Sequence, residues 1–123
     1  VRILPDTHAL IWWTADSRRL GRRAGALLDD ESNPLLFSAA VEWEVRNKAA
    51  VGKLEVPDGF NFIDEAGVVM LPITHAHAER AAALPLHHRD PFDRLLIAQA
   101  QLEDAVILTV DPAFAAYDVR ITW

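Results

Sequence analysis

Four acids sit at positions from which a folded chain can bring carboxylates together. Asp6 directly follows the apolar run ILP, and Asp111 directly follows VILTV. A glutamate, Glu42 or Glu44, lies in SAAVEWEVRNKAAVG, and Asp93 lies in RDPFDRLLIAQAQLEDA. Carboxylates gathered without a cation repel one another and lose hydration, at a cost of several kcal/mol. An oxygen-only set suits Mg²⁺ or Mn²⁺, whereas zinc calls for imidazole or thiolate. A hard cation held this way activates water and offsets charge on a transferring phosphoryl group, which is nuclease or phosphatase chemistry.

Each acid also has a plainer reading. Asp90 followed by Pro91 is explained as a helix N-cap, and Asp93 as a first-turn partner of the helix dipole. Asp111, before Pro112, could start a turn. Glu42 with Arg46 and Glu44 with Lys48 are i,i+4 pairs worth only about 0.2–0.5 kcal/mol each. Glu42 and Glu44 point about 200° apart on a helix, so only one can face a shared site, and spacing alone does not choose.

The elements that must position these acids are legible as an alternation. Apolar runs at Val1 to Leu4, Leu35 to Ser38, Val68 to Ile73, Val106 to Val110 and Val119 to Trp123 read as strands. Several are continuous rather than alternating, which fits a parallel sheet covered on both faces. Helical segments lie between them, giving an α/β domain over residues 1–123. Ser38 can cap one helix that Gly52 stops, with a Val41/Val45/Ala49 stripe. A second runs from Asp90 with Leu95, Ile97, Ala98 and Leu102 on its apolar side. Leu54 to Glu65 reads as a loop with one short helix. If the first and fourth strands are neighbours, Asp6 and Asp111 meet at the carboxyl edge of the sheet, where open α/β sheets bind ligands. Pro5 removes a ladder donor near the end of the opening strand, which is tolerable at the last rung and leaves open how that strand is paired.

Composition narrows the class. A chain of 123 residues that is 51% hydrophobic has enough apolar surface for one core. It contains no cysteine, which excludes disulfides and thiolate metal sites and fits a reducing compartment, here the cytoplasm. No apolar run reaches the length of a membrane span, and no signal peptide is evident. The net charge of -6 points away from broad electrostatic binding of nucleic acid, although Arg18, Arg19, Arg22 and Arg23 are grouped. The five histidines are expected in satisfied surface or core roles, with His87 and His88 in a loop within reach of a phosphate. Trp12, Trp13 and Trp43 read as core or interface anchors.

Two other acid-at-strand-end classes fit poorly. A haloacid-dehalogenase-like phosphatase needs an acid two positions after its nucleophile, where this chain has His8. A phospho-acceptor receiver needs an aspartate ending its third strand and a late lysine, but VVMLPITH has no acid and Lys53 is the last lysine.

Together, LPDTHALIWW, SAAVEWEVRNKAAVGKL, LPLHHRDPFDRLLIAQA and ILTVDPAFAAY closely resemble the PIN-domain family, and more narrowly the VapC-type toxins of bacterial toxin–antitoxin pairs. The resemblance runs essentially from end to end. It implies a three-layer α/β/α sandwich around a parallel five-stranded sheet of order 3-2-1-4-5. It implies a Mg²⁺- or Mn²⁺-dependent endoribonuclease in which water attacks phosphorus in line and leaves a 5′-phosphate. Carried over by position, the metal-binding and catalytic acids are Asp6, Glu44, Asp93 and Asp111, so the resemblance selects Glu44 over Glu42. Thr7, Thr109 and Asp90 are the supporting candidates. Pro5 and Glu42 stand where the family usually has an aliphatic residue, and Val110 often has an arginine counterpart. The implied partners are an RNA substrate, a second copy of the chain, and an antitoxin whose segment fills the groove. Trp12, Trp13 and the Leu54–Phe62 region would suit such contacts. The competing readings are a related nuclease acting on DNA and a catalytically silent binding module.

Overall fold

The computed structural model describes residues 1–53 and 67–123. The expectations for Leu54–Glu65, including the Leu54–Phe62 contacts, lie outside the described residues. Strands β1 (Ile3–Pro5), β2 (Leu36–Ser38), β3 (Val69–Leu71), β4 (Val106–Leu108) and β5 (Ile121–Thr122) alternate with helices. The helices are α1 (Thr7–Thr14), α2 (Arg22–Asp29), α3 (Ala39–Ala50), α4 (His75–Ala83) and α5 (Pro91–Glu103). Short 3-10 turns occupy Arg18–Leu20 and Pro112–Ala116.

All pairings are parallel, but the expected single five-stranded sheet is divided. One sheet has the order β1-β4-β5, and β2 pairs with β3 in a second. Among the described residues they are joined by one bridge between Ile3 and Leu35, where Ile3 N donates to Pro34 O at 2.9 Å. The cause lies in the sequence. Donors on one edge of a strand recur every second residue, so the next donor facing β2 would belong to residue 5. Residue 5 is proline and has no N–H. The opposite edge of β1 is unaffected, and it pairs with β4 through Pro5 and Leu108.

Burial on both faces explains the continuous apolar runs. Ile3, Leu35 and Leu108 pack with Leu20, Ala24 and Leu28 in one cluster. Their neighbours Leu4, Leu36 and Ile107 enter the other cluster with Val41 and Val45 of α3 and Leu96 and Ile97 of α5. Successive strand residues point to opposite faces, so the central strands β1 and β4 need apolar side chains at every position, whereas Val69 and Met70 of β3 are exposed.

The helix ends follow their capping residues. Ser38 accepts from Ala40 N at the start of α3, and Gly52, at φ 75, takes up the left-handed conformation that ends it. Asp90 Oδ1 accepts from Phe92 N at 2.8 Å and from Asp93 N at 3.2 Å, with Pro91 in the first turn of α5. Asp90→Ala is expected to lower stability by about 1 kcal/mol through loss of this cap, and Asp90→Ser to restore most of it. Chemical denaturation of the three proteins checks this.

Candidate active site

Asp6 connects β1 to α1. Its backbone N donates to Leu108 O at 3.1 Å, which extends the β1–β4 pairing by one residue. Its side chain caps α1, with Oδ1 accepting from Ala9 N at 2.8 Å. Oδ2 accepts from Thr109 Oγ1 at 2.6 Å, and that same hydroxyl accepts from Asp111 N at 3.0 Å. Thr109 N in turn donates to Thr122 O at 3.1 Å, so the hydroxyl joining the two aspartates is anchored to β5. Asp111 Oδ1 accepts from Ala113 N and caps the following 3-10 turn.

Glu44, one and a half turns into α3, is buried and accepts from Thr7 Oγ1 at 2.5 Å. Its second oxygen lies 3.5 Å from Lys48 Nζ. Glu42 instead points away and pairs with Arg46 at 3.3 Å. The 200° separation that spacing could not resolve is therefore resolved by packing: the Val41/Val45 stripe turns inward and carries Glu44 toward the crevice.

Asp93 lies one residue past the pair Pro91–Phe92, in the first turn of α5, and its Oδ2 is 2.6 Å from His88 Nε2. Asp6, Glu44, Asp90, Asp93 and Asp111 all line one crevice of about 260 Å³. Lys48, His8 and His88 line it too. Donor atoms of His88, Asp93 and Asp111 lie within 4.8 Å of one another.

Burial, opposed by His88 and helped by the Asp90 and Glu44 charges, pushes the Asp93 carboxyl up to about 6. Burial also raises Asp6, with Asp111 adding to it, against the bonds from Thr109 and Ala9 and the nearby His8. Carboxyls displaced this way are held at a cost that a cation would relieve. The donor set of short carboxylates on rigid element ends therefore fits a hard divalent ion. A larger hollow of about 480 Å³ beside Trp13 also carries acids. There Asp30 is lowered, by hydrogen bonds from Ser32, so its charge is satisfied by its own chain.

The grouped arginines are not in the crevice. Arg18 and Arg22 line an open groove of about 890 Å³, and Arg23 hydrogen-bonds Trp123 O. Trp12 and Trp13 are half-buried, whereas Trp43 is 64% exposed and meets Phe92 edge-on. Sequence reading took Lys48 only as a helix ion pair, and it placed His88 in a loop within reach of a phosphate but missed its contact with Asp93. A signal was present: a side chain two residues before an N-cap must lie close to the first turn that the cap opens, and Asp93 is in that turn.

Among the described residues no helix is long and apolar enough to cross a membrane. A family model described as PIN domain matches residues 3–120. No functionally curated protein sequence matches the chain. Similar solved structures include VapBC2 from Rickettsia felis bound to a DNA fragment from its promoter, at TM-score 0.73 and 13% identity, covering 100% of this chain and 99% of that one. A toxin–antitoxin complex from Klebsiella pneumoniae follows at TM-score 0.67 and 21% identity, covering 98% and 96%. FitAcB from Neisseria gonorrhoeae aligns at TM-score 0.66 and 23% identity, again covering 98% and 96%. At these identities the likeness is one of fold.

Proposed function

The chain belongs to the PIN-domain family, and on that premise we propose that it is a metal-dependent endoribonuclease acting as the toxin of a toxin–antitoxin pair. The observation that carries the nuclease reading is the convergence of Asp6, Glu44, Asp93 and Asp111, from four separate elements, in one crevice. Two of these carboxyls are raised by burial and by their neighbours.

Asp6, Glu44, Asp93 and Asp111 would hold Mg²⁺ or Mn²⁺, directly or through water. The ion supplies Lewis-acid stabilisation of charge on the phosphoryl group and makes water a better nucleophile. The chain's own part is orientation. Thr109 holds Asp6 and Asp111 at a fixed spacing, and Thr7 fixes one oxygen of Glu44. Lys48, paired to Glu44 at the crevice, offers a positive charge to an incoming phosphate.

The order 3-2-1-4-5 across the whole sheet, with the single Ile3–Leu35 bridge as the link between its two parts, belongs to the same proposal. So do the partners. Similar solved structures are toxin–antitoxin complexes, which supports a cognate antitoxin as partner; the crevice is the seat proposed for it. A homodimer is the assembly proposed for the free toxin.

The test is cleavage of an end-labelled RNA pool by purified protein with Mg²⁺, Mn²⁺ or EDTA, beside matched single- and double-stranded DNA. Metal-dependent cuts confined to RNA, leaving 5′-phosphates, are the expected result. Cleavage of DNA alone would replace RNA by DNA as the substrate. Cleavage of neither by metal-loaded protein would leave a binding module.

A further inference from the structure

Beyond the four acids, the crevice contains an imidazole that is held in place from several sides. We propose that His88 is a nitrogen ligand of the cation site, joining Asp93 and Asp111 and tilting the site from Mg²⁺ toward Mn²⁺ or a later first-row divalent ion. The inference rests on the cation-site reading above.

Its basis is placement and rigidity. Donor atoms of His88, Asp93 and Asp111 lie within 4.8 Å of one another. An octahedral ion with donors at about 2.1 Å holds neighbouring donors about 3 Å apart and opposite ones about 4 Å apart. The His88–Asp93 contact of 2.6 Å is thus a few tenths of an ångström tighter than an ion would set it.

The loop carrying His88 is clasped rather than free. Arg94, the residue after Asp93, donates through Nη1 to Pro85 O at 2.9 Å and His88 O at 3.2 Å. Through Nη2 it donates to Ala81 O at 2.8 Å and Leu84 O at 3.0 Å, the carbonyls at the end of α4. Tyr117 Oη accepts from His88 N at 2.8 Å and donates to Pro85 O at 2.8 Å. The His88 ring meets Phe114 edge-on at 6.5 Å. Backbone and ring are therefore both fixed, so little ordering entropy remains to be lost when the ring binds an ion. A wandering surface histidine would have no such clasp.

Ligand chemistry then predicts selectivity. Mg²⁺ favours oxygen donors and keeps its waters, whereas imidazole favours the transition metals, with affinity rising from Mn²⁺ through the later ions. A nitrogen donor in an otherwise carboxylate shell changes the ratio of affinities while leaving the site competent for either ion.

The experiment is pulsed EPR of Mn²⁺ bound to the full chain, natural and with ¹⁵N-histidine, together with calorimetric Mn²⁺ and Mg²⁺ affinities for wild type, His88→Gln, His8→Gln and Asp93→Asn. A directly bonded ¹⁴N coupling is expected, converted to ¹⁵N by the label, kept in His8→Gln and lost in His88→Gln. His88→Gln should weaken Mn²⁺ at least about tenfold and Mg²⁺ distinctly less. Mn²⁺ binding that Asp93→Asn abolishes, but that carries no histidine coupling, would overturn the ligand role and leave His88 as a hydrogen-bond partner of Asp93. A coupling that survives in His88→Gln and disappears in His8→Gln would overturn it in favour of His8. No Mn²⁺ binding sensitive to Asp93→Asn would overturn this inference and the cation site together. If His88→Gln folds poorly, the labelled His8→Gln protein still decides between the two crevice histidines: a retained coupling excludes His8, and a lost one excludes His88.

Discussion

Asp6→Asn is expected to lower RNA cleavage by at least about 10³-fold while leaving the fold intact. The size follows from what the residue does: losing a group that merely orients a metal ligand typically costs about 10–100-fold, and losing a ligand's charge costs more. The structural tolerance follows from the bonds Asp6 makes. Its Oδ1 caps α1 through Ala9 N, a task asparagine performs as well as aspartate. Its Oδ2 faces the Thr109 hydroxyl, which can accept from an amide as readily as it donates to a carboxylate. Asparagine also removes a buried charge that is unfavourable where it stands. The melting temperature should therefore move by less than about 5 °C. Cleavage assays at matched metal loading, with thermal melts of the same samples, check both halves. Full activity in Asp6→Asn would remove the acid from the mechanism.

Asp93→Asn should do something less intuitive: abolish metal-dependent activity and stabilise the metal-free protein. Burial, with Asp90 and Glu44 adding, raises the Asp93 carboxyl from 3.8 to about 6 in the folded state. Between those values the native state binds a proton that the unfolded state has released. Stability therefore falls as pH rises from about 4 to about 6 and is level above that, where the ionised Asp93 carries its full cost. Each unit of displacement corresponds to about 1.4 kcal/mol, so the cost at neutral pH is on the order of 2–3 kcal/mol. Asparagine has no such titration. At pH 7.5 the metal-free variant should be more stable by up to that amount, and the difference between the two proteins should vanish toward pH 4. Saturating metal should reverse the ranking, since an ion at about 1,000 times its dissociation constant stabilises wild type by about 4.1 kcal/mol. Urea unfolding across pH 4–8, with and without Mg²⁺, reads all three effects. A destabilised Asp93→Asn at neutral pH would mean that the carboxylates do not burden one another.

These two acids make the same trade in different degrees. Asp6 is held by two strong donors, which partly offset its burial, whereas among the described residues the Asp93 carboxyl meets only the His88 ring. On the proposed reading, a cation site whose carboxyls stand at a cost without an ion is a common consequence of preorganisation. Arg94 and Tyr117 restrain the segment that carries His88, whose imidazole meets Asp93.

Much of this was legible in the linear chain. Continuous apolar runs bounded by helical segments announced a parallel sheet covered on both faces, because a strand buried on two sides must be apolar at every position. Acids directly after two of those runs, Asp6 and Asp111, had to emerge at the same sheet edge once β1 and β4 paired in parallel. The cap at Asp90 was equally local, since Asp before Pro and an apolar helix leaves few other arrangements.

What the chain did not disclose depended on contacts between segments far apart in sequence. Leu102, expected on the apolar side of α5, is exposed, and Leu96 is buried in its place, because the facing elements decide which side of a broad stripe turns inward. The choice of Glu44 over Glu42 was open to periodicity, which gives relative angles on a helix but no absolute orientation. The pairing of β1 with β2 ended early because Pro5 happened to face that neighbour, and which edge a given N–H faces is known only once both neighbours are placed. His88 reached Asp93 only because a guanidinium from the next helix and a phenol 29 residues away close around its loop. The sequence by itself determined which side chains could carry charge and where the strands and caps must fall, since those follow from bonded neighbours. Tertiary packing decided which carboxylates share a crevice and which imidazole joins them, because Coulomb and desolvation energies depend on distances that only folding sets.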